Sequence, residues 1–187
     1  KGDSTESWAR KHRYDFLSTI MKKAKAKWVV TGHHANDQAE TILMNISEKT
    51  GLFGLGGMKE INNNIIRPLL PYTKVQLIEV LRKYSIPFLE DPTNRENYFK
   101  RNFIRNNVIA PWLERNDDLI ESITATARNF KDWQDGMLYF ANDFIENNLI
   151  KNKNNHLLID KNSFGKLPTL VRVCVLQVIT NSIGSLR

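Results

Sequence analysis

Residues 27–41 read KWVVTGHHANDQAET, and how this stretch is read decides the fold. Trp28, Val29 and Val30 make a short apolar run with two β-branched residues, which predicts a strand buried on both faces of a parallel sheet. The polar GHHA that follows is then the loop at the strand's C-terminal end, the edge where open α/β sheets bind ligands. DQAETILMNISEKT predicts a helix, with Asp37 as N-cap and Glu40 three residues on in capping-box spacing. Two imidazoles, an amide and two carboxylates thus converge where a ligand would lie.

Working outward, STESWARKHRYDFLSTIMKKAKA predicts a preceding helix, because Trp8, Tyr14, Leu17, Ile20 and Met21 recur at spacings of three to four. On the other side, GLFGLGGM carries Gly51, Gly54, Gly56 and Gly57, which allow positive φ or a close backbone approach. No Gly-Lys-Ser/Thr closes that loop, so it is not a Walker motif. IIRPLL reads as a short extended stretch fixed by Pro68. Thr73 and Gln76 form a second capping box over TKVQLIEVLRKYSI. FLEDPTN is turn-rich, and YFKRNFIRNNVIAPWL looks helical up to the residue before Pro111. From about Leu119 the pattern is strongly helical, with Leu119, Ile123, Phe130, Trp133, Met137, Phe140 and Phe144 mostly on one face. KNKNNHLL reads as a polar turn, LLID as a short strand and LPTLVRVCVLQVITNSI as a last helix. The domain boundary is placed where charge and periodicity both change, giving 1–115 and 116–187.

Composition narrows the class. Hydrophobic content of 41% with 25% charged residues in 187 describes a globular chain able to bury a core. No apolar run approaches the ~18 residues of a membrane span. Cys174, the single cysteine, excludes a disulfide framework and reads as a buried thiol, in keeping with a reducing cytoplasm. The net charge of +7 is unevenly placed. Residues 1–112 hold 18 basic and 11 acidic side chains, and residues 113–187 hold 9 of each. A one-sided basic excess points to an anionic partner such as RNA, DNA or nucleotide.

Three chemistries compete for the histidine loop. As a metal site it is poor: adjacent His33 and His34 point to different sides of the chain, and His12 and His156 are remote, so the tetrahedral set that zinc requires is missing. No metal ligands are assigned. As a plain helix start, Asp37 and Glu40 need only cap, but capping accounts for neither the imidazoles nor the nearby cations. Phosphoanhydride chemistry uses both, since imidazole and Lys/Arg donors neutralise phosphate charge while carboxylates hold Mg²⁺ or orient an amine nucleophile.

The ordered segments ESWARKHRY, TGHHANDQAET, GLFGLGGM, IIRPLL, FLEDPTN and RNFIRNNVIAPWL resemble the tRNA(Ile)-lysidine synthetase family of N-type ATP pyrophosphatases, the PP-loop superfamily. The resemblance runs over roughly residues 1–115. It implies a truncated parallel-sheet, Rossmann-like adenine-nucleotide-binding α/β domain, followed by a mainly α-helical domain for tRNA or substrate recognition. It also implies a reaction. ATP adenylates C2 of the wobble cytidine in the CAU anticodon of tRNA(Ile), and the ε-amine of free L-lysine displaces AMP to give lysidine. ATP and Mg²⁺ are the implied cofactors, the compartment is cytoplasmic, no membrane partner is implied, and a homodimer is left open.

Carried over residue by residue, Arg13 and Asp37 resemble the family's lysine and adenylated-base site, with Glu40 beside them and His33 and His34 close to the reacting base or leaving pyrophosphate. Arg10, Arg67, Arg101 and Arg105 are implied phosphate contacts, to ATP or the tRNA backbone. Asn36 stands where the family more often has an acidic residue, so it is assigned to substrate binding without a magnesium role. The family's Ser-Gly-Gly-x-Asp-Ser loop is absent from the 187 residues. It is expected before residue 1 of a longer protein, and the chain alone is expected to be inactive in adenylation. Two other readings stay open: a tRNA-thiolating PP-loop relative, disfavoured by the single cysteine, and a non-catalytic basic RNA-binding module.

Overall fold

The computed structural model describes residues 5–89, 100–151 and 157–184. The chain is mixed α/β and mostly helical. Its packing forms two compact units, residues 1–128 and 129–187.

In the first unit, helix α1 (Thr5–Lys23) leads to strand β1 (Val29–Val30), the loop 31–34 and helix α2 (Ala35–Ser47). A short helix α3 (Leu52–Leu55) is followed by β2 (Ile61–Asn62), β3 (Ile65–Ile66) and α4 (Lys74–Lys83). The three strands lie in the order β1-β3-β2. β1 and β3 are parallel, with Val29 opposite Ile65 and Val30 opposite Ile66, whereas β2 and β3 form an antiparallel hairpin. Asn63 turns that hairpin at φ 50°, a left-handed conformation that asparagine tolerates better than most residues. The strand expected over KWVVT is therefore real but short. It is not buried on both faces: Val30 is 64% exposed, because β1 is an edge strand among the described residues.

Helix α2 starts one turn earlier than its sequence suggests. His34, not Asp37, is the N-cap residue, and Asp37 is the third helical residue whose Oδ2 accepts the His34 N–H at 2.9 Å. The capping box is thus His34–Asp37 in register, which leaves Glu40 free to face inward. The second box is as expected, with Gln76 N–H donating to Thr73 Oγ1 at 3.3 Å and Thr73 N–H to Gln76 Oε1 at 2.9 Å.

The segment 100–113 forms α5 (Lys100–Phe103), a π-helix (Ile104–Ile109) and α6 (Ala110–Leu113). It does not stop before Pro111. Ala110 N–H reaches back five residues to the Arg105 carbonyl. The wide turn eases the clash between a proline ring and the preceding turn, and Pro111 sits in the first turn of α6, where a missing N–H costs least. Ala35 and Ala39 of α2 pack with Ile104 and Ile109, together with Leu119 and Ile120 from the start of α7 (Leu119–Asn148). Two alanines on α2 let the backbones approach closely, so α2 is seated against the arginine-bearing segment.

In the second unit, the later part of α7 is joined by the hairpin β4 (Leu149–Lys151) and β5 (Leu157–Ile159), then α8 (Lys161–Lys166) and α9 (Thr169–Gly184). Its core is Ala141, Phe144, Val171, Cys174 and Val175. Cys174 is buried as expected, and burial pushes its thiol pKa up. Trp133 and Phe140 do not join the apolar face assigned to them and are exposed, while Gln134 and Ala141 are buried. Among the described residues no helix is long and apolar enough to cross a membrane. His156 and all of EDPTN, residues 90–94, lie outside the described residues.

Candidate functional site

The loop 31–34 ends β1 and begins α2, and it opens a cleft of about 310 Å³ against one face of α1. Arg13, Tyr14 and Leu17 line it from α1, Thr31, Gly32 and His33 from the loop, and Asp37 from α2. Positions 13, 14 and 17 fall on one helical face, so a cation, a phenol and an aliphatic side chain meet the histidine loop together. Arg10, one turn before Tyr14, lies over its ring with 5.2 Å to the centroid.

His33 is half-buried, and its Nδ1 lies 2.8 Å from Thr31 Oγ1. Burial holds its pKa below the usual histidine value. The Asp37 charge works the other way, and the guanidinium charges of Arg67, Arg101 and Arg10 deepen the lowering. The balance favours the neutral imidazole. His34 turns inward, with Nδ1 buried 3.4 Å from Asp37 Oδ2 and no hydrogen-bond partner among the described residues.

Behind Asp37 lies a charged cluster. Glu40 is almost fully buried and accepts from Arg101 Nε at 2.6 Å on Oε2 and from Arg105 Nε at 2.6 Å on Oε1. The second guanidinium nitrogen of Arg105 reaches Oε2 at 3.2 Å. Burial works against the Arg105 charge, but the hydrogen bond and charge of Glu40 outweigh it and raise its pKa. Arg101 also donates from Nη2 to the Asp37 carbonyl at 3.2 Å and approaches Asp37 Oδ1 at 3.5 Å.

The other assigned residues are placed differently. Asn36 Oδ1 accepts the Lys74 N–H at 2.8 Å and so caps α4. Arg67 is buried, donating from Nη1 to the Lys59 carbonyl at 2.8 Å, and its Nε has no partner among the described residues. The structure thus gathers Arg13, His33 and Asp37 on one cleft, sets Glu40, Arg101 and Arg105 behind it, and turns Asn36 to the neighbouring helix. This donor set fits magnesium poorly. Mg²⁺ requires oxygens free to complete an octahedron, whereas both Glu40 oxygens face guanidinium nitrogens and Asp37 Oδ2 holds a backbone N–H.

Sequence reasoning missed Tyr14, Leu17, Thr31 and Gly32 as cleft residues. The signal was present for the first two, because both lie within one turn of Arg13 on α1. It also missed Gln38. That amide accepts the Met58 N–H at 2.7 Å and donates to the Met58 carbonyl at 3.0 Å, pinning the glycine loop to α2. The close approach that Gly57 permits at φ +65° is to Gln38.

A PP-loop domain model matches residues 1–111. A tRNA(Ile)-lysidine synthase of Thermosipho africanus is 45% identical over 113 residues, 60% of this chain and 26% of that protein. One from Chlorobaculum tepidum is 40% identical over 112 residues, 60% of this chain and 34% of the relative. One from Clostridioides difficile is 38% identical over 149 residues, 78% of this chain and 30% of the relative. The chain spans about a quarter to a third of the length of these curated relatives. The cleft, the histidine loop and the Glu40 cluster all fall within the matched span, and the chain belongs to the PP-loop domain family.

Proposed function

We propose that this chain supplies the amine-binding and base-binding part of an ATP-dependent tRNA-modifying ligase that makes lysidine in the CAU anticodon of tRNA(Ile). The observation that carries this reading is the cleft itself, which sets a guanidinium, Arg13, and a carboxylate, Asp37, across a space lined by Tyr14 and Leu17. A free amino acid with a cationic side chain offers the matching groups: a carboxylate for Arg13, an aliphatic stem for Leu17, and a compact ammonium for Asp37. The names of the relatives point to the same substrate pair.

ATP supplies the leaving group: the C2 carbonyl oxygen of the cytidine bonds to the α-phosphorus as pyrophosphate departs. The ε-amine then forms the new C–N bond at C2 as the C–O bond to AMP breaks. An ammonium cannot attack until it gives up a proton. In the tautomer whose Nδ1–H donates to Thr31 Oγ1, neutral His33 carries its lone pair on Nε2, and in that form it takes the proton. Asp37 holds the amine in place and Arg13 the amino-acid carboxylate, with Arg10 stacked over the neighbouring Tyr14 ring. No step is assigned to magnesium, for which these carboxylates offer no free pair of oxygens.

The test uses the full-length protein, CAU-anticodon tRNA(Ile), ATP and labelled lysine, with a tRNA of another anticodon as control. Asp37→Asn keeps an oxygen to cap α2 but loses the charge, so lysine transfer should fall about 10- to 100-fold, the worth of one charged hydrogen bond. tRNA affinity should stay within about twofold, since phosphate contacts dominate it. Full transfer in that variant would remove Asp37 from the site. No transfer by the native protein, with tRNA binding intact, would favour a thiolating enzyme or a binding module.

A further inference from the structure

Among the described residues of the first unit Glu40 is the most deeply buried charged group, yet the cleft does not include it. Both of its oxygens are satisfied by Arg101 and Arg105, at N···O distances of 2.6 Å each. Three guanidinium N–H groups take most of that carboxylate's acceptor capacity, and its near-complete burial keeps it out of reach of a substrate in the cleft. Its partner Arg101 does reach the cleft wall. One nitrogen of that guanidinium is fixed by Glu40 while another spans to the Asp37 carbonyl and the Asp37 carboxylate. The two Asp37 oxygens are consequently unequal. Oδ2 is held by the His34 N–H at 2.9 Å, and Oδ1 meets Arg101 only at 3.5 Å, long enough to leave it open to an incoming donor.

We propose that Arg101 is a positioning residue: anchored by buried Glu40, it fixes the first turn of α2 and aims Asp37 Oδ1 into the cleft, so that Glu40 acts through Arg101 and never touches substrate. The four side chains form a balanced set of two carboxylates and two guanidiniums, which is what allows them to be packed together at partial burial. The arrangement depends on a guanidinium. A planar fork can hold Glu40 with one edge and Asp37 with another, whereas a lysine ammonium is a point charge at the end of a flexible stem. The π-helix that begins at Ile104 belongs to the same device, because Arg101 and Arg105 flank its start and both turn to one carboxylate.

This inference rests on the amine-binding reading of the cleft for its kinetic consequence but not for its structural one, and the experiment separates them. In the full-length protein, amide hydrogen exchange at His34 reports directly on the bond to Asp37 Oδ2. Arg101→Gln should speed that exchange and raise the KM for lysine about tenfold or more, with the KM for tRNA unchanged. Arg101→Lys should restore little of either. The double variant Arg101→Gln/Glu40→Gln removes one charge of each sign, so it should fold where Glu40→Gln alone does not, and its lysine KM should equal that of Arg101→Gln.

Unchanged His34 exchange in Arg101→Gln would overturn the positioning role. A further tenfold rise in lysine KM from adding Glu40→Gln would put Glu40 on the substrate and overturn the second half of the proposal. If the native protein transfers no lysine while His34 exchange responds as expected, the positioning device stands and the amine reading of the cleft falls.

Discussion

His33 carries the pH dependence of the cleft. Its pKa lies below the ordinary histidine value chiefly through burial, helped by three guanidinium charges and opposed by Asp37. A base in that state stays neutral, and so able to accept a proton, at pH values where an exposed histidine is already charged. The acid limb of lysine transfer should therefore fall below pH 6.5, the usual histidine value, and His33→Asn should lower the rate and abolish that limb. The same shift affects stability with a definite sign. Below the unfolded pKa the unfolded chain binds the proton and the folded one does not, so stability is lost as pH falls toward the folded pKa and levels off beneath it. Chemical denaturation from pH 7.5 to 4.5 should show that increment in the native chain and its absence in His33→Asn. An acid limb or stability step above pH 6.5 would mean that a different group titrates.

Helix α2 is the element on which the site depends, and it is tied down at three places. Its N-terminus is linked to the segment before α4 by Ala35 N–H to the Tyr72 carbonyl at 2.8 Å and by Asn36 to the α4 N-terminus. Its middle is clamped by Arg101 and Arg105, and Gln38 pins the glycine loop to its flank. Gly57 makes the third tie feasible, since an added Cβ would lie 2.7–2.8 Å from the Gln38 amide, in a backbone that already has positive φ. Gly57→Ala should therefore destabilise the chain by about 1–2 kcal/mol for the left-handed conformation alone, and more as Gln38 is displaced. A urea midpoint unchanged from the native chain would remove that role.

These ties also explain what was legible beforehand. The strand–loop–helix order, the Thr73–Gln76 box and the buried Cys174 rest on local spacing, and spacing is visible in sequence. The convergence of Arg13, His33 and Asp37 came from resemblance, and the fold agrees because one face of α1 meets one loop. What spacing could not reveal was pairing across 61 and 65 residues. Arg101 and Arg105 read as phosphate ligands because nothing local says that Glu40 is waiting for them. Pro111 likewise read as a stop, since a π turn has no sequence signature of its own. His34 took the capping position from Asp37 because the better acceptor sits at the third helical residue and reaches back, a geometry as favourable as the forward one.

At the scale of the whole molecule, charge and chemistry are distributed differently along the chain. All seven excess positive charges fall within residues 1–112, which also contain the cleft, while the remainder is balanced. Nucleic-acid affinity needs only the cations, whereas adenylation needs a phosphate-binding loop of backbone donors, and no Ser-Gly-Gly-x-Asp-Ser occurs in these 187 residues. The two properties should therefore separate in this chain taken alone. It should bind tRNA(Ile) with a strong salt dependence, losing about a hundredfold in affinity between 50 and 200 mM salt if some four phosphates are neutralised. Over the same range it should release no pyrophosphate from ATP above the uncatalysed rate, with or without lysine. Filter binding across a salt series and a coupled pyrophosphate assay on one preparation measure both. Pyrophosphate release would mean that residues of this chain hold the ATP phosphates unaided, and Arg13 in the cleft, with Arg10 over Tyr14, would be the first to replace. Affinity indifferent to salt would mean that the basic excess is a solvated surface, with tRNA recognition resting on contacts other than phosphate.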